Sequence, residues 1–224
     1  MLSSCDAIIV AAGSGTRLGY QVPKALVPLR NKAIVSYSTT VFREHPAIDS
    51  IFLVVSEQML SSVGKIGLGD DISLVIGGPE RWQSVRNGCR ASTAEWVLVH
   101  DAARPFVTAD VIDSLLEKKS DFDCAITVTP VVDTIRTFTH DCAGETIDRS
   151  TLVRVGTPQL FRRALLEEGF SIADKLHPPP TDEAMLMQAM NIKVGIAWGD
   201  IRNFKITTPA DMEIAEALLA AKKE

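Results

Sequence analysis

Residues 7–10, Ala-Ile-Ile-Val, are an unbroken run of apolar strand-formers, comparable runs return at 50–56 and 95–99, and further strands are expected at 72–76 and 124–128. A run that is apolar at every position, not at alternate ones, predicts a strand buried on both faces of a parallel sheet. Between the runs the spacing becomes helical. Ile34, Tyr37, Val41 and Phe42 fall near one face of a helix over 33–45, which His45-Pro46 ends, and Val85 and Cys89 point inward from a helix over 83–92. A short helix is expected over 57–65 and a turn over 67–71. Thr108 is placed to cap a helix over 108–119, with Asp110 near its positive end and Lys118-Lys119 at its negative end. Repeated strand–helix alternation predicts an α/β fold with an open, mostly parallel twisted sheet and helices on both faces.

From Asp133 the texture changes. Short β-forming stretches at 134–139 and 145–149 carry charge and are joined across 141–144, which reads as a β-hairpin with no helix to cover it. A lone two-stranded hairpin is marginal in water, so residues 132–151 are expected to form an arm that lies on a second subunit, within a single domain spanning 1–224. Residues 152–155 return to the sheet, 161–170 are helical, and Thr181 is expected to cap a helix over 182–190 after a stiff run of prolines. Strands follow at 192–198 and, briefly, at 203–206. Thr208-Pro209-Ala210-Asp211 is a helix start, with Ile214, Leu218 and Leu219 expected inward.

The composition narrows the function classes. A hydrophobic fraction of 46% over 224 residues supports a full core, and a net charge of −5 argues against a general nucleic-acid binder. Cys5, Cys89, Cys124 and Cys142 have neither paired nor zinc-finger spacing, so buried thiols in a reducing compartment are expected. No apolar stretch is long enough for a membrane span and no signal peptide is visible, which together predict a cytoplasmic protein.

The stretch from Ala11 to Lys24, AAGSGTRLGYQVPK, follows the first strand directly. Gly13 and Gly15 can take backbone angles closed to other residues and turn N–H groups toward one anion, and Arg17 and Lys24 add cations. This reads as a cradle for a nucleotide triphosphate. The Walker pattern is absent, because no Gly-Lys-Ser/Thr follows. The dinucleotide fingerprint also fails, with Leu18 at its third glycine position and no acidic ribose partner about 20 residues on. An ordinary Gly-rich turn remains the plainer alternative.

Ligands of open parallel sheets bind beyond the carboxyl ends of strands, which brings His100-Asp101-Ala102-Ala103-Arg104 to the same place. Asp101 is a candidate ligand for a magnesium ion shared with phosphates, and Arg104 has the fork to grip a phosphate. A helix cap with a surface salt bridge would explain the segment equally simply. Gly77-Gly78 would let a flat base lie against backbone, with Ser84 adding a hydroxyl. Lys205, Arg149 and Thr181 are weak candidates alone. Nothing resembles a nucleophilic Ser-His-Asp arrangement, and the parts together describe phosphoryl-type chemistry run by positioning and charge.

The blocks AAGSGTRLG…PK, GGPERWQSV, VLVHDAARPF, PVVDTIR, TIDR…TPQLF, TDEA and NFKIT-x-P-x-D stand in the order found in the 2-C-methyl-D-erythritol 4-phosphate cytidylyltransferase family, which the chain resembles from about residue 7 to 219. The resemblance implies a Rossmann-like nucleotidyltransferase fold and a Mg²⁺-dependent reaction of CTP with methylerythritol phosphate. It also implies a homodimer joined through the hairpin arm. By the match, Arg17 and Lys24 hold the triphosphate and the charge developing at the α-phosphate. Ala11, Ala12, Gly78 and Ser84 line the cytosine and ribose pocket. Asp101 and Arg104 lie between nucleotide and second substrate, with Thr181 and Lys205 there too, and Thr134 and Arg149 complete the neighbour's site. The related ribitol-5-phosphate cytidylyltransferases share the plan but resemble AGG where this chain has Ala11-Ala12-Gly13. A non-catalytic nucleotide-binding regulator on the same fold is the other alternative; it would not need Arg17, Lys24, Asp101 and Lys205 together. Two departures stand out: Ala25 where the family has Gln, and Pro79 where it often has Asp.

Overall fold

The computed structural model describes residues 4–13 and 22–221. The chain enters through β1 (Cys5–Val10), then forms a small two-stranded sheet from β2 (Pro28–Leu29) and β3 (Lys32–Ala33). The elements α1 (Ile34–Glu44), β4 (Ile51–Val55), α2 (Leu60–Val63), β5 (Ile72–Ile76), α3 (Arg81–Ala91), β6 (Trp96–Asp101), α4 (Ala109–Leu116) and β7 (Cys124–Pro130) continue the alternation. A hairpin of β8 (Ile135–Thr139) and β9 (Cys142–Ile147) interrupts it. The chain then closes through β10 (Val153–Arg162), α5 (Arg163–Phe170), α6 (Ala184–Ala189), β11 (Val194–Trp198) and α7 (Pro209–Ala221).

The main sheet has seven strands in the order β11-β7-β10-β6-β1-β4-β5. All neighbours are parallel except β10, which runs antiparallel to both β6 and β7. Because side chains alternate along a strand, β1 divides between two cores. Cys5, Ala7 and Ile9 join Leu53, Trp96 and Leu98 on one face, under Phe42 of α1 and Ile112 and Leu115 of α4. Ile8 joins Val54, Val97 and Val99 on the other, under Val85 and Cys89 of α3 and Leu166 of α5. Strands apolar at every position are what this double coverage demands. The expected α/β sheet with helices on both faces is what the chain forms.

Several local expectations are corrected. Phe161 belongs to β10 and not to a helix: fully buried, it pairs with Val97 and Cys124, and the strand reaches it across an irregularity between Val155 and Gln159 where Pro158 has no N–H to give. Residues 203–206 form no strand. One backbone–backbone bond ties them to the loop after β6, from Ile206 N–H to the Ala103 carbonyl at 2.9 Å. Ile214 is 53% exposed, because α7 buries the face of Met212 and Ala215, with Leu218 and Leu219 partly covered. The start of α7 is as expected, with Thr208 and Asp211 exchanging bonds between backbone and side chains. Thr181 caps nothing: its N–H and hydroxyl meet the Met185 sulfur, while Asp182 Oδ1 accepts from Met185 N–H.

The hairpin turn is tighter than expected, at His140-Asp141, with His140 at φ 52°. β9 is exposed throughout, and Phe138 on β8 is 80% exposed. Cys142 lies on this exposed strand, against the expectation of a buried thiol. Cys5, Cys89 and Cys124 are buried, and burial pushes each thiol up to about 12. Among the described residues no helix is long and apolar enough to cross a membrane.

Candidate active site

β1 lies between β4 and β6, and all three run the same way, so their carboxyl ends and that of β5 open on one edge. The loops leaving them begin as continuations of the sheet: Ala11 N–H bonds the Val54 carbonyl, Ala102 N–H that of Val10, and Gly77 N–H that of Val55. Register sets Val10 beside Asp101. Above this edge is a cavity of about 180 Å³ whose walls include Ala11, Ala12, Gly13, Lys24, Gly78, Ser84, Asp101 and Lys205. A second cavity, of about 210 Å³, holds Arg104, Thr157 and Thr181. Arg81, Asp101 and Lys205 line both and form the wall between them.

The structure thus brings together most of the candidates named from sequence. Gly15 and Arg17 lie outside the described residues. Thr134 and Arg149 line neither cavity; Arg149 Nη1 donates to the Val132 carbonyl at the base of the hairpin. Gly13 has no left-handed φ, and among the described residues a Cβ there would meet nothing within 4 Å. Gly77 and Gly78 are needed for close approach: a Cβ on Gly77 would stand 2.7 Å from Ala12 Cβ, and one on Gly78 2.5 Å from Gln83 Cβ. The Gly77–Glu80 loop spends its own donors. Gly78 N–H goes to Ser84 Oγ at 3.1 Å, Glu80 N–H goes to Gln83 Oε1 at 3.0 Å in a capping box, and Pro79 has none. Both departures noted in the sequence, Ala25 and Pro79, face the first cavity.

Asp101 is the charge at the centre. Its Oδ1 accepts from Arg81 Nε and Nη2 at 3.1 and 3.0 Å, and its Oδ2 from Lys205 Nζ at 2.8 Å. Burial works to raise its pKa, but Arg81 and Lys205 outweigh it and hold the carboxyl well below the usual range. The plainer alternative of a helix cap with a surface salt bridge is not what forms; the segment carries a buried ion network. Arg81 in turn bonds Glu183, which is fully buried, and the two carboxylates raise Arg81 against the effect of its own burial. Burial pushes Glu183 up, with Arg81 opposing. Both Asp101 oxygens already accept from cations, so a metal ion there would have to share the carboxylate with Arg81 and Lys205. Among the described residues no group of three or more His, Cys, Asp or Glu could hold a metal ion.

Behind Asp101 the fully buried His100 orders the backbone. A carbonyl only accepts, so Nε2 carries the proton that bonds the Arg104 carbonyl at 3.1 Å. Nδ1 then accepts from Thr157 Oγ1 at 3.2 Å, and Thr157 Oγ1 accepts from Asp101 N–H at 3.0 Å. Asn203 closes the set, donating from Nδ2 to the Thr157 carbonyl and accepting Arg104 Nη1 on its own carbonyl at 3.0 Å.

Arg81, Glu183, Thr157 and Asn203 were not reached from sequence. Arg81 did leave a trace: a cation in the first turn of a helix opposes the helix dipole, which signals that something else holds it. Thr157 hides in an irregular strand and Glu183 looks like any acid at a helix start.

A chain with this open sheet and this cation-lined edge is an α/β nucleotide-handling protein, and comparison with known proteins makes the class specific. The sequence profile of the 2-C-methyl-D-erythritol 4-phosphate cytidylyltransferase family, IspD, matches residues 5–221. The enzyme of that name from Syntrophotalea carbinolica is 36% identical over 220 residues, covering 95% of this chain and 94% of the relative. The one from Alkaliphilus metalliredigens is 36% identical over 230 residues, covering 99% and 95%. Among solved structures, 4-diphosphocytidyl-2C-methyl-D-erythritol synthase from Anaerococcus prevotii superposes with a TM-score of 0.86 at 26% identity, covering 97% of this chain and 96% of that one. The Thermus thermophilus cytidylyltransferase does so with a TM-score of 0.83 at 30% identity, covering 98% and 100%. The chain is a nucleotidyltransferase. It belongs to the 2-C-methyl-D-erythritol 4-phosphate cytidylyltransferase family.

The neutral state of His100 sets a pH dependence. Burial, aided by the Arg104 and Arg81 charges, lowers its pKa from 6.5 to about 4. The unfolded chain therefore binds more protons between these values, and stability rises with pH, being complete above about 6.5 and reduced by about 3 kcal/mol below about 4. Glu183, raised by burial, has the opposite sign over part of this window, so the contribution is read by difference. Urea midpoints taken near pH 4.5 and pH 7 should fall further apart for the native chain than for His100→Gln; equal shifts would contradict the assignment.

Proposed function

We infer that this chain joins CTP to 2-C-methyl-D-erythritol 4-phosphate, giving 4-diphosphocytidyl-2-C-methyl-D-erythritol and pyrophosphate in non-mevalonate isoprenoid synthesis. Family membership supports this reading, and one observation carries it: two cavities meet at a single wall of Arg81, Asp101 and Lys205. A transfer between two phosphorylated substrates needs two such pockets sharing a charged boundary. The first suits the nucleotide, with Ala11, Ala12, Gly13, Gly78 and Ser84 around base and ribose, and Gly15 completing the cradle. The second suits the polyol phosphate, with Arg104, Thr181 and Lys205.

In this reading a phosphate oxygen of the second substrate attacks the α-phosphorus of CTP in line. The new O–P bond forms as the bond to the bridging oxygen breaks, and pyrophosphate leaves with that electron pair. Arg17 and Lys24 stabilise the charge developing at the α-phosphate, and Lys205 holds the attacking phosphate. A Mg²⁺ ion would be held mainly by the CTP phosphates, with Asp101 nearby, and would supply charge neutralisation there. The site of reaction is the cytoplasm.

Residues 132–151 act as the arm of a homodimer within one domain, bringing Thr134 and Arg149 to the neighbour's second cavity. Support comes from their exposure: Phe138 at 80% and Val132 at 57% leave an apolar surface that a lone hairpin cannot bury.

Pyrophosphate release with CTP should be faster with methylerythritol phosphate than with ribitol 5-phosphate; the reverse preference would move the chain to the ribitol enzymes. CTP binding without turnover on any polyol phosphate would leave a regulator. Lys24→Ala should lower kcat by ~10²-fold, as for loss of a charge partner in the transition state, whereas a change confined to CTP affinity would contradict its role. Arg149→Ala should be impaired in the second substrate and regain activity when mixed with Lys24→Ala, because a hybrid dimer keeps one intact site. Absence of rescue would count against a shared site.

A further inference from the structure

Glu183 has no part in the transfer as described, yet it is the most deeply buried charge of the site, with a side chain of 0% exposure just ahead of α6. A buried carboxylate is costly unless fully paired, and an apolar residue of similar volume generally serves packing as well or better. Its contacts suggest what the charge is for. Both oxygens accept from one nitrogen, Nη1 of Arg81, at 2.7 and 2.8 Å. The rest of that guanidinium, Nε and Nη2, converges on a single oxygen of Asp101. This departs from the usual preference, since a guanidinium beside a carboxylate tends to take both oxygens in parallel, fork to fork. Here the second oxygen, Oδ2, goes to Lys205 Nζ at 2.8 Å. Glu183, Arg81, Asp101 and Lys205 thus form a row of alternating charge, and the row runs along the wall between the cavities.

With Nη1 held by Glu183, Arg81 cannot swing to span both oxygens of Asp101. Without Glu183 it would be free to do so, and Lys205, whose side chain is 38% exposed, would lose its anchor to water. We propose that Glu183 is a positioning residue: by occupying Nη1 of Arg81 it leaves Asp101 Oδ2 to Lys205 and so fixes the lysine ammonium at the boundary of the two cavities. The proposal deepens the transferase reading and rests on it, since the position of Lys205 matters because Lys205 holds the attacking phosphate.

Glu183→Gln preserves shape and removes the charge. The expected result is a ~10-fold loss of kcat with KM for CTP changed less than ~3-fold, the signature of a group that acts on the reacting centre and not on nucleotide binding. In an Asp101→Asn background the same substitution should cost nothing further, because Glu183 acts only through Arg81 on Asp101. Unchanged kcat, or a full additional loss in the double variant, overturns the proposal. A crystal structure of Glu183→Gln gives a readout independent of turnover: Arg81 should span both Asp101 oxygens with Lys205 released, and an unaltered Asp101–Lys205 contact overturns the proposal. If the native chain proves inactive the transferase reading fails, while the crystal structure still decides whether Glu183 sets the network. Should Glu183→Gln fail to fold, Arg81→Lys takes its place. It keeps the charge but loses the fork, and the same kcat loss and the same non-additivity with Asp101→Asn are expected; an additive loss overturns the proposal.

Discussion

The carboxylate of Asp101 is taken out of water at the point where β6 ends, and much of the site follows from keeping it there. An ion so placed needs partners on both oxygens and a fixed backbone. Arg81 arrives from the first turn of α3 and Lys205 from the segment before α7, so the carboxylate ties three distant parts of the chain to one edge of the sheet. Its own N–H is held by Thr157, which is held by a neutral His100, which is held by the carbonyl of Arg104.

The wall of Arg81, Asp101 and Lys205 divides one sheet edge into two cavities of different character. The first cavity is built largely from short backbone segments at the ends of β1 and β5, where small residues leave the main chain open to close approach. The other side is built from longer side chains and from the irregular part of β10. The first is mostly shape and the second mostly charge, and the ion row between them belongs to both.

The central strands were legible in the sequence because burial on both faces leaves no room for a polar position, and the runs at 7–10, 51–55 and 96–99 carry that signature undiluted. The convergence of the loops around the first cavity was legible for a related reason: loops at the carboxyl ends of parallel strands must meet. β10 was not, since Thr157, Pro158 and Gln159 break its apolar run just where it bends to meet Asp101. The Arg81–Glu183 pair was not either. Its members stand 102 residues apart, and each alone looks like a charge at a helix start. Ile214 misled because α7 is apolar on more than one side, which periodicity cannot resolve.

The loop from Gly77 to Glu80 has a polarity of its own. Its N–H groups are spent on Val55, Ser84 and Gln83, or are missing at Pro79, so the main chain there can accept hydrogen bonds but has none left to give. A flat ring laid against such a surface is sorted by its edge. At position 4 cytosine brings an amino group where uracil brings an oxygen, and only the amino group has a proton to give to such a main chain. The proline that removes a side-chain acceptor from this loop also keeps its main chain one-sided.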